Sequence, residues 1–230
     1  MKPTAETFEQ WNEVHAVKHD LDKFYNHPNR LFRYIENKRV STLIKFADIK
    51  EDNLVLEVGC GAGNILERIP KGILYGVDIS SIQIERAKKR LGDKATIIKC
   101  PGESLPFDDK YFDRILCTEV FEHVFDPLPV LMELHRTLKD NGIVSLSVPN
   151  ERLINFTKRS LSAAGMKRIL KPKESGWDLS LKNNLEEWHL HSYSLGLIKK
   201  QIRNIFRIQI IAEIPNTLVP FRYVLKLAKK

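Results

Sequence analysis

From residue 53 onward short apolar runs alternate with helical patterns, and no other feature limits the fold of this chain so sharply. "LVLEV" (54–58) reads as a buried strand, followed by a glycine turn and by "NILERI" (64–69) as a helix. "ILYGVDI" (73–79) is a second strand. "SSIQIERAKKRL" (80–91) is a helix with Ser80 or Ser81 as N-cap and Gly92 just past its end. "ATIIKC" (95–100) is a third strand and, after the loop "PGESLPFDDKY", "FDRILCTEV" (112–120) is a fourth. "PLPVLMELHRTLK" (127–139) is a helix closed by "DNG", and "GIVSLSVP" (142–149) is a fifth strand. Such alternation with short connections implies a parallel sheet covered on both faces, with right-handed crossovers.

The flanks are read in the same way. Residues 4–24 and 29–47 space their apolar side chains by three and four, as helices do, and "NHPNR" between them is a turn that puts a proline early in the second helix. Residues 151–171 form a basic amphipathic helix or helix pair, and 172–190 a loop. "LGLIKKQIRNIF" is a helix and "RIQIIAEI" a strand. The terminal "FRYVLKLAKK" alternates Phe221, Tyr223, Leu225 and Leu227 with Arg222, Lys226 and their neighbours, a period of two that makes a final antiparallel strand. The expected organisation is one domain: a helical cap at 1–50, a ligand-binding core at 51–150, a lid or insert at 151–192, and a last helix with strands at 193–230.

Composition sets the outer limits. With 43% hydrophobic and 29% charged residues the chain is of ordinary globular make-up. No apolar run of about 18 residues predicts a membrane-spanning helix, and "MKPTAETFEQWNEVH" lacks the apolar centre of a signal peptide. Cys60, Cys100 and Cys117 show no metal or CxxC spacing; they are expected as small buried hydrophobes in a reducing, cytoplasmic setting. The net charge of +8 is uneven: residues 151–230 hold 16 Lys and Arg against 6 Asp and Glu, whereas residues 1–150 hold 21 against 23. Nucleic acid, anionic lipid or an acidic substrate all answer to such a basic third.

The glycine turn admits three ligand classes. A triphosphate loop of the form GxxxxGK[ST] requires a lysine that is absent. The dinucleotide fingerprint GxGxxG puts its third glycine where this chain has Asn64. What remains is Glu57 two residues ahead of Gly59, Gly61 and Gly63, with Asp78 ending the second strand. A carboxylate at that strand end can accept from both hydroxyls of a ribose, in NAD as well as in other nucleosides.

This E-x-G-x-G-x-G pattern resembles motif I of the class I S-adenosylmethionine-dependent methyltransferases. "CPGESLPFDDKYFDRI" resembles the family's "DAExLPFxDxxFD" segment, and "LKDNGIVSLSVPN" resembles its helix–turn–strand before strand five, so that the likeness covers residues 54–150. The resemblance implies a Rossmann-like sheet of seven strands, mostly parallel with an antiparallel last strand, and helices on both faces. It implies S-adenosylmethionine as cofactor, S-adenosylhomocysteine as product, and a cofactor site lined by Glu57, Gly59, Cys60, Gly61, Gly63, Asp78, Ile79, Gly102, Glu103, Ser104 and Thr118. One departure stands out. Pro101 occupies the place of an aspartate that receives the adenine amino group in many members, leaving Glu103 or a backbone carbonyl for that task.

Methyl transfer needs no protein nucleophile, but a hydroxyl acceptor gains from a base. His123 in "TEVFEHVFDP", just after strand four, is the candidate, although an "EHV" also serves many relatives as a helix-start element without catalytic duty. Its E-x-x-E-H setting, Glu119, Glu122 and His123, resembles a segment of the ubiquinone-biosynthesis O-methyltransferases that is associated with a divalent cation, a second role for these residues. "EEWHLHSYS" resembles a lid element of small-molecule and lipid methyltransferases, which implies for His189, His191 and Tyr193 either substrate contact or plain packing of the lid. The insert resembles the membrane-touching insert of quinone O-methyltransferases, and basic residues beside an apolar stripe over 151–171 suit an anionic bilayer surface at the inner membrane face. The expected acceptor is therefore a small or lipidic oxygen or nitrogen nucleophile. A nucleic-acid (RNA) methyltransferase is disfavoured, since "TEVF" stands where a base-flipping "NPPY" would. Asn64, and the lack of a Tyr-x-x-x-Lys pair behind a strand, disfavour a NAD-dependent oxidoreductase. Pro101 speaks for an inactive cofactor- or lipid-binding module, and the intact glycines and Asp78 speak against it.

Overall fold

In the computed structural model, residues 3–4, 6–18, 25, 29–165 and 189–230 of the 230 are described. Their helices are α1 (Phe8–Lys18), α2 (Arg30–Ala47), α3 (Ser81–Leu91), α4 (Pro127–Thr137), α5 (Glu151–Ala163) and α6 (Leu195–Ile202). The strands are β1 (Leu54–Val58), β2 (Ile73–Asp78), β3 (Ala95–Lys99), β4 (Phe112–Thr118), β5 (Leu138–Pro149), β6 (Phe206–Ile214) and β7 (Arg222–Lys229). They form one seven-stranded sheet in the order β3-β2-β1-β4-β5-β7-β6. Strands β1 to β5 pair in parallel, and β7 lies antiparallel between β5 and β6. This is the Rossmann-like architecture expected, antiparallel strand included.

Side chains alternate across the sheet, as the two-residue period of a strand requires. Leu56, Val58, Ile115, Cys117, Leu146, Tyr223, Leu225 and Leu227 face one core with Val130, Leu131 and Leu134 of α4 and Ile198 and Ile202 of α6. Val55, Leu74, Ile97, Leu116 and Val224 face the other, with Ile35, Val40 and Leu43 of α2 and Ile84, Ala87 and Leu91 of α3. The strand order reverses between β1 and β4. The crevice at their carboxyl ends is the place where open α/β sheets bind ligands.

Caps explain most boundaries. Asn29 accepts from the amides of Leu31 and Phe32, Ser80 from Gln83, Asp126 from Leu128 and Ser194 from Leu197, each fixing a helix start. Thus α2 begins on Asn29, one residue beyond Pro28, which lies outside the described residues. Gly92, at φ 51°, ends α3 as expected.

Several expected helices are shorter. "NILERI" makes only a 3₁₀ turn over Leu66–Arg68, because Pro70 has no N–H with which to continue it and the chain must re-enter the sheet at Ile73. α1 spans 8–18 rather than 4–24, with 19–24 outside the described residues. α4 stops at Thr137 and "DNG" lies within β5, where the register against β4 jumps from Phe112↔Leu138 to Arg114↔Ile143 as a bulge. α5 ends at Ala163; residues 166–171 of the expected amphipathic helix and most of the 172–190 loop lie outside the described residues. α6 ends at Ile202, not 206, and Phe206 already pairs with Lys229 in the sheet.

Candidate active site

The turn after β1 is built by backbone bonds to β2. Gly59 and Cys60 both donate to the carbonyl of Val77 at 2.9 Å. Gly59 has φ 72°, and a Cβ there would come within 2.3 Å of Val120 Cγ2, so only glycine fits. Asp78 closes the other side: its Oδ2 accepts from Gly61 N and its Oδ1 from Ser80 N, each at 2.9 Å. Burial raises this carboxyl, while the amide bonds from Ser80 and Gly61 oppose the rise. Each oxygen keeps a lone pair for a ligand hydroxyl.

A cavity of about 420 Å³ opens in front of this turn. Glu57, Gly59, Cys60, Gly61, Asp78, Ile79, Gly102, Glu103 and Thr118 of the expected cofactor set all line it. Among the buried cavity-lining atoms without a hydrogen-bond partner are two of the expected cofactor set, Glu57 Oε2 and Thr118 Oγ1. Orphaned polar atoms beside a cavity are groups that a ligand can satisfy. Gly63 and Ser104 do not line it. Gly63 instead packs against α3, where a Cβ would lie 2.8 Å from Leu91 Cδ1, and so performs the close-packing task that the dinucleotide fingerprint assigns to its third glycine. Ser104 N bonds the carbonyl of Pro101 within its own loop. Burial raises all three thiols, Cys100 to about 11 and Cys60 and Cys117 well above the ordinary range, so none is a reactive thiolate.

The helix α1 covers this end. Phe8, Asn12 and Ala16, spaced by four, line the cavity. Glu13 accepts from Ser80 Oγ at 2.8 Å and from the amides of Ser81 and Ile82, which ties α1 to the N-terminus of α3. Arg86 Nη1 donates to the carbonyl of Ala16 at 3.1 Å.

The far end holds a charge network that the sequence pattern does not reveal. Buried Arg39 bonds Glu36 Oε2 at 2.8 Å, Ser147 Oγ at 3.2 Å and Tyr25 Oη at 3.2 Å. Arg222 of β7 reaches Glu36 Oε1 and Glu119 Oε2, both at 3.1 Å. Ser147 Oγ donates to Glu119 Oε1 at 2.9 Å. Burial favours the neutral form of Glu36, but the Arg222 and Arg39 charges hold its carboxyl below the ordinary value. The one signal in the sequence is a Glu36/Arg39 pair on the same helix face as Ile35, Val40 and Leu43.

His123 and His189 both line the cavity, their ring centroids 4.8 Å apart; His191 and Tyr193 do not. His191 Nε2 bonds the carbonyl of Phe125, and Tyr193 is fully buried against Phe121. Glu119 is drawn away from the expected E-x-x-E-H set by Ser147 and Arg222, and His189 takes its place beside Glu122 and His123. The ligand atoms of these three lie within 4.8 Å of one another, whereas two atoms bound to one ion at about 2.1 Å are at most about 4.2 Å apart. We assign no metal to them.

Residues 56–146 match a family model described as a methyltransferase domain. The match runs from within β1 to within β5 and takes in the glycine turn and Asp78. The domain is 30% identical over 155 residues to the uncharacterized protein MJ0638 of Methanocaldococcus jannaschii, which covers 66% of this chain and 63% of that one. It is 30% identical over 133 residues to the ubiquinone biosynthesis O-methyltransferase of Histophilus somni, covering 53% of this chain and 54% of that enzyme. The chain thus spans less than two thirds of the length of either relative. Among solved structures, a SAM dependent methyltransferase from Aquifex aeolicus shares the fold at a TM-score of 0.62 and 19% identity, over 91% of this chain and 98% of that one.

Proposed function

We propose that the protein transfers a methyl group from S-adenosylmethionine to an oxygen or nitrogen of a small or lipidic acceptor. The observation that carries this reading is the pairing of Asp78 with the Gly59–Gly61 turn on one cavity wall, beside the orphaned oxygens of Glu57 and Thr118. The bound cofactor would supply an electrophilic methyl on its sulfonium. Asp78 would hold the ribose hydroxyls, the glycine turn and Glu57 the amino-acid end, and Glu103 at the cavity edge the adenine side. The similarity to a ubiquinone biosynthesis O-methyltransferase supports a small or lipidic acceptor.

The lid reading and the membrane reading of the insert both find support in α5. Glu151, Ile154, Asn155 and Lys158 line the cavity, while Arg152, Phe156 and Arg159 are exposed on the outer face, Phe156 by 68%. A basic face with an exposed phenylalanine suits an anionic bilayer, which would deliver a lipidic acceptor. No helix among the described residues is long and apolar enough to cross a membrane.

Calorimetry tests the cofactor. S-adenosylmethionine and S-adenosylhomocysteine should bind, and NAD should not. Two hydrogen bonds to a carboxylate are worth about 3–6 kcal/mol, so Asp78→Ala should weaken binding by more than about 100-fold. Binding of NAD without either sulfur nucleoside would sink the proposal.

A further inference from the structure

Glu151 and His189 meet at the acceptor end of the cavity, and their contact decides which imidazole nitrogen can take a proton. Glu151 opens α5 just after its N-cap Asn150 and is 7% exposed. One of its oxygens receives His189 Nδ1 and the other receives Ser192 Oγ at 2.6 Å. Burial alone would raise this carboxyl, but the bonds from His189 and Ser192, the Lys158 charge and, once the ring is protonated, the His189 charge hold it below its ordinary value. An ionised carboxylate only accepts hydrogen bonds, so Nδ1 must carry the proton and the neutral ring keeps its lone pair at Nε2.

The backbone is fixed as well. The carbonyl of Glu122 accepts from Leu190 N at 2.7 Å and from His191 N at 3.3 Å. The ring is therefore held through its side chain by α5 and through the following amides by the turn after β4. With Nδ1 committed to Glu151, Nε2 is the nitrogen left for the cavity that the ring lines. The titratable groups around it are Glu151 and Lys158 from α5 and Glu122 and His123 from the turn after β4.

We propose that His189 is the base that takes the proton of the methyl acceptor, and that Glu151 is its positioning residue. The inference rests on the methyl-transfer reading above. The acceptor's O–H or N–H proton passes to His189 Nε2, and the electron pair left on the acceptor forms the new bond to carbon. The bond that breaks is the carbon–sulfur bond of the sulfonium, whose electrons stay on sulfur. The resulting imidazolium sits against the Glu151 carboxylate, which stabilises it as an ion pair.

The experiment uses the full chain labelled with nitrogen-15 histidine, the His189 signals being assigned by their loss in His189→Gln. Nuclear magnetic resonance should find neutral His189 protonated at Nδ1. Glu151→Ala should shift the proton toward Nε2, and Glu151→Asp should keep it at Nδ1. A wild-type ring protonated at Nε2, or a tautomer indifferent to Glu151→Ala, overturns the proposal. In a second arm, methyl-labelled S-adenosylmethionine is supplied with a small-molecule extract of the source cells. His189→Gln should lower labelled product by about 100-fold or more while calorimetry with S-adenosylhomocysteine shows retained affinity. Glu151→Ala should follow it and Glu151→Asp recover part of the rate. Wild-type transfer by His189→Gln overturns the base assignment alone, whereas a wild-type protein that binds neither sulfur nucleoside overturns the methyl-transfer reading and leaves the tautomer result standing.

Discussion

Glu122 is a carboxyl in a setting that opposes its charge. It is 1% exposed, its Oε2 has no hydrogen-bond partner, and Glu119 stands nearby. Burial first and the Glu119 charge second raise it well above its ordinary 4.5. The folded protein therefore binds this proton more tightly than the unfolded chain does, and wild-type stability must fall as pH rises from 4.5 through the raised value. Glu122→Gln keeps the shape without that slope. Denaturation across pH should show the variant gaining on the wild type as pH climbs above 4.5, by about 1–3 kcal/mol at neutrality, the usual cost of an unsatisfied buried polar group. A difference independent of pH would show that folding leaves the proton affinity of Glu122 unchanged, and would overturn the argument. Nothing in "TEVFEHVFDP" announces this burial. The glycines and Asp78 were legible because backbone geometry ties their roles to their sequence spacing; the Glu36–Arg39–Arg222 network was not, since it joins residues on α2 and β7 that meet only after the sheet has formed.

Elements were legible where periodicity was long and less so where the chain turns. The central strands β1 and β4 fall where apolar runs place them, because a strand buried on both faces must be continuously apolar, and β7 falls where a two-residue alternation does, whereas β5 begins four residues ahead of its run. The full helix expected after β1 fails to form for a local reason: between Gly59 and Ile73 the glycine turn consumes half of the segment and Pro70 stops the rest. α1 shows what pattern alone cannot supply. Val14 and Val17 are 58% and 65% exposed, so its place depends on polar ties more than on an apolar face. Chief among them is Glu13, whose carboxyl is favoured to rise by burial yet is held low by Ser80 Oγ and the amides of Ser81 and Ile82. Glu13→Ala removes a charged group from a helix N-terminus, a loss of about 1 kcal/mol. Because Asn12 and Ala16 of the same helix line the cavity, hydrogen exchange of α1 amides should quicken and S-adenosylhomocysteine should dissociate faster. Unchanged exchange in α1 would show that Glu13 does not hold the helix.

At the scale of the whole molecule the cavity is the place where every layer meets. Its wall takes residues from α1, the glycine turn, α2, the ends of β2 and β4, α5, and Arg222 of β7. Those contacts join positions as far apart as Glu36 and Arg222 or Glu13 and Ser80, separations that no local pattern encodes. A ligand filling this space bridges both cores of the sheet, since α2 belongs to one and the turn after β4 contributes Phe121 and Val124 to the other. Binding should thus be linked to global unfolding rather than to the closing of a separate cap. At a free S-adenosylhomocysteine concentration 100 times its dissociation constant the linkage amounts to about 2.7 kcal/mol. For a chain of this size each kcal/mol raises the midpoint by about 2–4 °C. Scanning calorimetry should then show one transition displaced upward by about 5–11 °C, the combined scale of those two relations. A trace with two transitions, of which only the lower moves with ligand, would mean that the cover unfolds apart from the sheet, and would overturn the coupling argued from the cavity wall.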